Sequence, residues 1–354
     1  MNDVTQRAIA AVGPDEPATD WQLRPREHAA RLPVDAGALK RVLEHEDIQD
    51  IMQRFSQDDA AAVAAQKAYK SAGHWGLRCS TVAAVIGALF LMPIDTWFGE
   101  TARVIALVIQ YAALAAAIIA SRILIWKQPF DRWMKARGKA ESSRVALFDT
   151  VMSANDEVRA GELPLLPLKL EYFRRYQLSV QRNYYAGQGA KHAKAAGATQ
   201  GWQVLSVLVT LAAVVVIVAG VLNIVAASGL PLHPWLQWAI EAMQILRPPW
   251  SDRALLAAGV ISSALYSFAA SRSLMNLDER NASRYLTNAE NLSYLTETGL
   301  EGARRAAAEG RSQEVAAFVE AIEGLVSSEH KEWVLLREIA PKPNVRLSRV
   351  PPAR

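Results

Sequence analysis

The sequence predicts an all-α membrane protein with four transmembrane helices, arranged as two repeated hairpins, and a cytoplasmic helical bundle. Two observations lead to this fold class. Four long stretches of the 354-residue chain contain no Asp, Glu, Lys or Arg, and most of the tryptophans lie near the ends of these stretches. Indole rings favour the interface between lipid headgroups and acyl chains. The uncharged stretches are 79–94, 104–121, 195–240 and 254–271.

Each transmembrane helix is placed by the thickness of the bilayer. A hydrocarbon core of about 30 Å needs about 20 helical residues. The sequence therefore predicts spans near 77–97, 103–126, 203–228 and 253–272. Residues 204–228 of the third span carry no charge and a single amide, Asn223. For the first and fourth spans, a buried helix of a soluble protein is the alternative. The tryptophans at the predicted edges are Trp75, Trp97, Trp126, Trp202, Trp235, Trp238 and Trp250.

The distribution of basic residues predicts the orientation in the membrane. The connection 127–200 carries thirteen Lys and Arg residues, whereas the connections 98–102 and 229–252 contain only Arg247 between them. Basic residues are concentrated in cytoplasmic loops. We therefore expect a multi-pass protein of the inner membrane with both termini in the cytoplasm. A signal peptide is not expected, because no basic segment followed by an apolar one opens the sequence.

The regions outside the spans are predicted from apolar periodicity. Residues 1–33 show none and are expected to form a disordered tail. Residues 34–160 form a first unit, with a cytoplasmic helix followed by two spans, and residues 161–339 form a second unit of two spans with cytoplasmic helices. Residues 340–354 are a C-terminal tail. The last helix, 312–339, has an apolar face that resembles a short coiled-coil seam, so its self-association is a hypothesis.

The two halves of the sequence resemble each other. The triplet Ala-Ser-Arg that begins at Ala120 ends the second span, and the same triplet at Ala270 ends the fourth, 150 residues later. The pair Ala140-Glu141 recurs as Ala289-Glu290 at an offset of 149. Two repeats that each contain an even number of spans face the same way in the membrane. They are therefore related by an axis along the membrane normal. This symmetry is typical of a helical bundle that surrounds a conduction path through the membrane.

Polar residues inside the spans are the candidates for lining a pore. A polar group in lipid must face other helices or water, so interhelical hydrogen bonds are the alternative interpretation. No acidic ring or buried ion pair indicates selectivity for a particular ion. The pore-lining candidates are Gln110, Asn223, Ser263, Tyr266, Ser267 and Ser271.

The connection before the fourth span contains an amphipathic segment, 232–247, between Pro231 and Pro248. The preferred interpretation is a helix that lies in the outer membrane interface. The alternative is a re-entrant segment that lines or plugs a pore.

Two clusters of arginine on the cytoplasmic side are candidates for contact with phosphate. Cations next to a membrane usually contact anionic lipid. Guanidinium groups also suit the phosphates of a nucleotide. The first cluster is Arg174, Arg175 and Arg182, and the second is Arg280, Arg284, Arg304 and Arg305.

The composition excludes several classes of protein. A single cysteine permits neither an intramolecular disulfide nor a thiolate-based zinc site. A net charge of +4 with interleaved acids makes no continuous basic stripe, so nucleic acid is not an expected partner. The mean hydropathy of +0.05 places only a minority of the chain in lipid. The histidines form no HExxH or HxxxH pair, and no nucleotide-binding or nucleophile-elbow motif occurs, so we expect no enzyme activity, catalytic residue, metal or cofactor.

Several short segments support a resemblance to known membrane effectors. They are Gln66–Lys70 before the first span, the Ala-Ser-Arg triplets, Phe318–Glu323 and Ser328–Trp333. With these segments the predicted architecture is similar to that of the SLATT group, two-span effectors associated with nucleotide-messenger and SLOG proteins in bacterial conflict systems. The similarity covers 60–339 as two copies. A four-span, SMODS-associated effector group of the same systems is an equally close comparison.

This resemblance implies an effector that forms pores or disrupts the inner membrane when a cytoplasmic sensor protein or a nucleotide messenger signals infection. We also expect a homo-oligomer in the lipid bilayer. The main alternative is a non-conducting scaffold that recruits cytoplasmic partners through its helical bundle, and an enzyme that acts on lipid is third. No ligand residue carries over from the resemblance, and the duplication departs from the two-span pattern.

Overall fold

The computed structural model describes residues 2–227 and 251–339, together with Pro234 and Trp238, and these residues form helices and turns without a strand. The α-helices of the described residues are α1 Asp3–Val12, α2 Pro25–Arg31, α3 Gly37–Glu44, α4 Glu46–Leu89, α5 Ile94–Lys127, α6 Pro129–Ser153, α7 Leu165–Phe173, α8 Val180–Ala227, α9 Ser251–Asn276, α10 Asp278–Ala308 and α11 Ser312–Ile339. A π-helical turn, Arg174–Ser179, joins α7 to α8. The predicted all-helical class is confirmed for this part of the chain.

The chain forms two compact units that are not successive in sequence. The core unit consists of the described residues of Met1–Ala65, Phe130–Gln188 and Arg284–Arg354. The apolar unit consists of those of Gln66–Pro129 and Gly189–Ser283. Helices α4 and α8 each begin in the core unit and end in the apolar unit. The compact units therefore differ from the predicted sequential division at residue 160, because each unit is built from one part of several long helices.

The prediction that residues 1–33 are a disordered tail is wrong. These residues contain α1 and α2, and Ala8 and Ala29 are completely buried in the hydrophobic core. The side chain of Asn2 caps α1 by accepting a hydrogen bond from the backbone nitrogen of Val4. Because alanine contributes little to apolar periodicity, the buried faces of these helices are hardly visible in the sequence.

The core unit is organised around large apolar side chains from distant parts of the chain. Phe148 of α6 contacts Phe173 of α7 edge to face, with ring centroids 5.7 Å apart. Ile322 of α11 is buried in the same core, and Phe318 and Leu325 of the same helix pack against it. The predicted seam for self-association in α11 is therefore occupied at these positions by the chain itself. Other fully buried members of this core are Leu39, Leu43, Ile48, Leu147, Leu163, Leu168, Tyr172 and Tyr185.

The apolar unit packs through small residues. A Cβ added at Gly76 of α4 would lie 3.2 Å from the Cβ of Ala120 of α5. Near the other end of this antiparallel pair, the side-chain amide of Gln110 lies against Gly87. Small residues allow close approach of helices in lipid, where apolar burial gives no driving force. Exposed apolar side chains of the unit include Ile105, Val108, Ile118, Ile119, Val204, Leu208, Leu211 and Leu256.

Three segments of the described chain are long and apolar enough to cross a membrane, judged by length and composition. They are Thr96–Lys127, Leu165–Val215 and Arg253–Ala308, and they include the predicted second and fourth spans and the described start of the third. The C-terminal part of α4, which contains most of the predicted first span, is not among them. His74 and Arg78 lie in this part of α4 and lower its apolar character.

The turn between the first two predicted spans comes earlier than predicted. Helix α4 ends at Leu89 and α5 begins at Ile94, so 77–97 is not one continuous helix. Pro93 precedes the first residue of α5, where its missing N–H removes no helical hydrogen bond. Gly99, with φ of +80°, interrupts α5 after its first turn, and glycine adopts this angle without steric strain.

Two junctions between helices have the same unusual backbone. Gln128, between α5 and α6, has φ of +42°, and Leu277, between α9 and α10, has φ of +49°. Left-handed angles are uncommon for residues other than glycine. The two residues are 149 positions apart, which equals the offset between Ala140 and Ala289. Corresponding points of the two sequence halves thus have the same local conformation.

Candidate functional site

A groove lined with hydroxyl groups lies between α4 and α9 in the apolar unit. Its volume is about 510 Å³. Three of the predicted pore-lining residues, Ser263, Ser267 and Ser271, line it from α9. Two further hydroxyl residues, Ser80 and Thr81, line it from α4 and were missed by the sequence analysis, although both lie in the first uncharged stretch.

The helical period explains why the serines of α9 share the groove. Residues four apart lie on one face of a helix, so Gly259, Ser263, Ser267 and Ser271 form one stripe. On α4, the hydroxyls of Ser80 and Thr81 donate hydrogen bonds to the carbonyl oxygen of Leu77, each at 2.9 Å. A hydroxyl bonded in this way is compatible with apolar surroundings.

The remaining pore-lining candidates do not share this groove. Tyr266 is on α9 but is not among the lining residues, and 58% of its surface is exposed. Gln110 lies against Gly87 within the α4–α5 hairpin and does not line the groove. The side chain of Asn223 lies outside the described residues. So does the segment 232–247 apart from Pro234 and Trp238, and with it the choice between an interfacial helix and a re-entrant one.

A second group of hydroxyls joins α8 to α9. Oγ of Ser206 lies 3.0 Å from the carbonyl oxygen of Ser262 and 3.2 Å from its Oγ. The hydroxyl of Thr210 contacts Ser262 as well and also donates to the carbonyl oxygen of Ser206 at 2.9 Å. Ser206 and Ser262 are buried. This cluster holds two helices together, and the four-residue spacing of Ser206 and Thr210 is the sequence signal for it.

Arg175 of the first predicted phosphate-contact cluster has carboxylate and carbonyl partners within the chain. Its Nε and Nη2 donate to the two carboxylate oxygens of Asp20 at 2.9 and 2.8 Å. Its Nη1 donates to the carbonyl oxygen of Val12 at 2.6 Å and lies close to Gly13, whose φ of +82° favours glycine. Arg175 and Asp20 are both buried. Arg175 therefore holds the N-terminal segment in place, and its side chain is not exposed to lipid.

Arg174 and Arg304, from different predicted clusters, share one buried carboxylate. Nε of Arg174 donates to Oε2 of Glu171 at 2.6 Å, and Nε of Arg304 donates to Oε1 at 2.7 Å. The Glu171 side chain is only 1% exposed. Arg174 also pairs with Asp15, and Arg304 with Glu301. These arginines are thus neutralised internally, which corrects the predicted assignment to phosphate or lipid.

The other four arginines of the predicted clusters are more accessible. Arg280 and Arg305 are exposed, and Arg182 and Arg284 are partly buried. Arg182, Arg284 and Arg305 belong to the core unit, whereas Arg280 belongs to the apolar unit. Arg280 and Arg284 lie one helical turn apart on α10, whereas Arg304 lies about 30 Å further along the same helix, so the second predicted cluster is divided.

Two titratable groups of the core unit have strongly shifted pKa values. Burial, reinforced by the charge of Arg31, lowers the pKa of His28 to about 4. Nδ1 of His28 lies 3.0 Å from the Tyr172 hydroxyl. Burial, reinforced by Asp149, raises the pKa of Glu323 to about 7. Within the described residues, no group of three or more His, Cys, Asp or Glu side chains is placed to hold a metal ion.

The comparisons with known proteins found no matching family model, no matching curated protein and no matching solved structure.

Proposed function

We propose that the protein is a pore-forming or membrane-disrupting effector of the inner membrane, activated by a partner or a nucleotide signal as the SLATT resemblance implies. The observation that carries this proposal is the hydroxyl-lined groove between α4 and α9. A row of polar groups along apolar helices is a feature that a conduction path needs and that a simple membrane anchor does not.

The proposal includes a fourth span formed by the C-terminal part of α4. Two observations support it: the close packing of Gly76 against Ala120, and the contact of Gly87 with Gln110, which pair this part of α4 with α5. A helix paired so closely with a spanning helix is expected to lie at the same depth. The concentration of basic residues in the connection 127–200 supports cytoplasmic termini.

The proposal also includes two repeated hairpins. The shared offset of 149 residues at Gln128 and Leu277 supports this, because the same rare backbone angle follows α5 and α9. The hairpins are then α4 with α5, and α8 with α9. A pseudo-symmetric pair of this kind surrounds a central path.

Several copies of the chain are needed to complete the path. Ser263, Ser267 and Ser271 are exposed on the surface of a single chain. Hydroxyls that face lipid are unfavourable, whereas a neighbouring copy or a water-filled lumen would satisfy them. Homo-oligomerisation through this face is therefore part of the proposed mechanism.

Reconstitution into liposomes tests the proposal. The vesicles contain a self-quenched dye and a potential-sensitive reporter. We expect the wild-type protein to release dye or collapse the potential, and Ser263→Leu/Ser267→Leu to abolish this, because leucine fills the groove with apolar volume. Tyr266→Leu is the matched control, because Tyr266 is exposed on the same helix but does not line the groove.

Either of two results would overturn the proposal. If vesicles stay sealed both alone and with extract from phage-infected cells, or if the serine variants conduct like the wild type, the groove is not a conduction path. Sealed vesicles would favour the non-conducting scaffold, and the search would turn to proteins bound by the core unit, whereas conduction by the serine variants would mean that the path lies outside the groove.

A further inference from the structure

The core unit contains a cavity of about 700 Å³ that the proposed pore does not use. Its walls come from four parts of the chain: the loop between α1 and α2, α4, α6, and the π-helical turn with the start of α8. This volume lies within the usual range of small-molecule sites. We propose that this cavity binds a small molecule that combines a planar ring with a phosphate or carboxylate group.

Arg144 of α6 supplies the polar end of the cavity. The residue is 8% exposed, and its Nε has no hydrogen-bond partner among the described residues. A buried donor without a partner is unfavourable, so an acceptor is expected there. The buried side-chain amide of Gln181 lies against the same guanidinium group and also lines the cavity.

Arg144 belongs to a group of charged side chains. Its guanidinium group bonds to the carboxylate of Glu141 at 2.6 Å. Arg137 contacts Glu141 as well and also pairs with Asp59 at 3.5 Å. The charge of Arg144 also acts on Glu323, a carboxyl group whose pKa is raised by burial to about 7. The unpartnered Nε of Arg144 suits an anionic acceptor, because guanidinium forms charge-assisted pairs with phosphate and carboxylate oxygens.

Aromatic side chains supply the apolar part of the cavity. Trp21 lines it with 61% of its surface exposed, so its ring is accessible to a ligand. Phe55 and Tyr176 line it from α4 and the π-helical turn. Tyr176 is fixed by stacking on His28, with ring centroids 3.9 Å apart. A planar ring stacks favourably on an accessible aromatic side chain such as Trp21.

The loop that carries Trp21 is pre-organised by the chain. Arg175 fixes it through Asp20, and the backbone nitrogen of Glu16 donates to Asp20 at 2.6 Å. The indole N–H of Trp21 donates to the carbonyl oxygen of Ala18 at 3.0 Å. A binding surface that is ordered before the ligand arrives loses less conformational entropy on binding.

Calorimetric titration of the full-length protein in detergent tests the proposal, and its readout does not depend on pore activity. The probes are AMP and indole-3-acetate, which combine a planar ring with a phosphate or a carboxylate. Adenosine provides the ring alone, and ribose 5-phosphate provides the phosphate alone. We expect one of the two complete probes to bind at least about tenfold more tightly than these single-feature probes. Preference for AMP or for indole-3-acetate identifies the anionic group.

Variants locate the binding site. Arg144→Gln removes the charged donor, and Trp21→Ala removes the exposed ring, so each is expected to weaken binding by about tenfold or more. The controls are Arg305→Gln and Tyr294→Ala, which change exposed side chains of the core unit outside the cavity. If Arg144→Gln does not fold, Trp21→Ala still carries the test. Failure of both complete probes to bind at millimolar concentration, or equal binding by cavity and control variants, would overturn the proposal.

Discussion

The core unit and the apolar unit both contain long helices, but the helices make contact through large side chains in the core unit and through small ones in the apolar unit. The core unit buries large residues such as Phe148 and Leu39 completely. It also buries charged pairs, for example Arg175 with Asp20. The apolar unit exposes its large residues, such as Ile119, and packs through Gly76 and Ala120.

The difference is the one expected for a unit surrounded by water and a unit surrounded by lipid. Water drives large apolar side chains inward, so the core unit has a conventional hydrophobic interior. Lipid gives no such drive, so close contact of small residues and hydrogen bonds between hydroxyls hold helices together there. The pair Glu100 and Arg103 of the apolar unit lies just beyond the break at Gly99.

The largest effect is expected from Arg175→Ala in the core unit. This change leaves the buried carboxylate of Asp20 without its bidentate partner, and loss of one member of a buried pair costs about 3–5 kcal/mol. The loop between α1 and α2 should become sensitive to limited proteolysis, and the Tm should fall. Arg305→Ala is the control, because Arg305 is exposed. Unchanged proteolysis of the loop in Arg175→Ala would contradict the role of Arg175 in holding this segment in place.

A matched pair of truncations tests the difference in solvent directly. Leu39→Ala, at a position with 0% exposure, should destabilise the core unit by about 2–5 kcal/mol through lost burial and a cavity. Ile119→Ala, at a position with 60% exposure, should change the Tm in detergent very little. Thermal unfolding followed by tryptophan fluorescence measures both. Equal destabilisation by the two changes would mean that the outer face of α5 is covered by another chain.

Gly76→Leu tests small-residue packing in the apolar unit. A side chain at this position meets the Cβ of Ala120, and overpacking typically costs about 1–3 kcal/mol. We expect a lower Tm in detergent and less folded protein in the membrane fraction. Gly197→Leu is the control, because a Cβ at Gly197 meets no atom within 4 Å. If the two variants behave alike, α4 and α5 do not pack as described.

The smallest effect is a dependence on pH in the core unit. The pKa of Glu323 is about 7 in the folded chain and has an ordinary value of 4.5. Between these values the unfolded chain loses its proton first, so Glu323 reduces stability as the pH rises from about 4.5 to 7. His28, with a pKa lowered to about 4, acts in the opposite direction over an overlapping range.

A variant separates the two contributions. In Glu323→Gln the loss of stability between pH 5 and pH 7 should disappear, so the Tm of the variant relative to the wild type should rise across this range. Glu320→Gln, at an exposed position of the same helix, should follow the wild type. A constant difference in Tm between Glu323→Gln and the wild type at all pH values would show that Glu323 does not titrate in this range.

Much of the fold was determined by the sequence alone. Uncharged stretches and helical periodicity predicted the helical class, the second and fourth apolar segments and the last helix at 312–339, which matches α11. Spacings of three and four residues grouped Ser263, Tyr266, Ser267 and Ser271 on one face of α9, and the three serines line the groove whereas Tyr266 does not. Such features are local, because helical period and apolar run length depend only on neighbouring residues.

Tertiary structure alone decided which residues act together. Arg175 appeared as a free cation in the sequence, and its partner Asp20 lay 155 positions away in a segment that was expected to be disordered. Likewise, Ser80 became part of the groove only through the approach of α4 to α9. Long-range pairing depends on how helices pack in three dimensions, and neither composition nor periodicity records that arrangement.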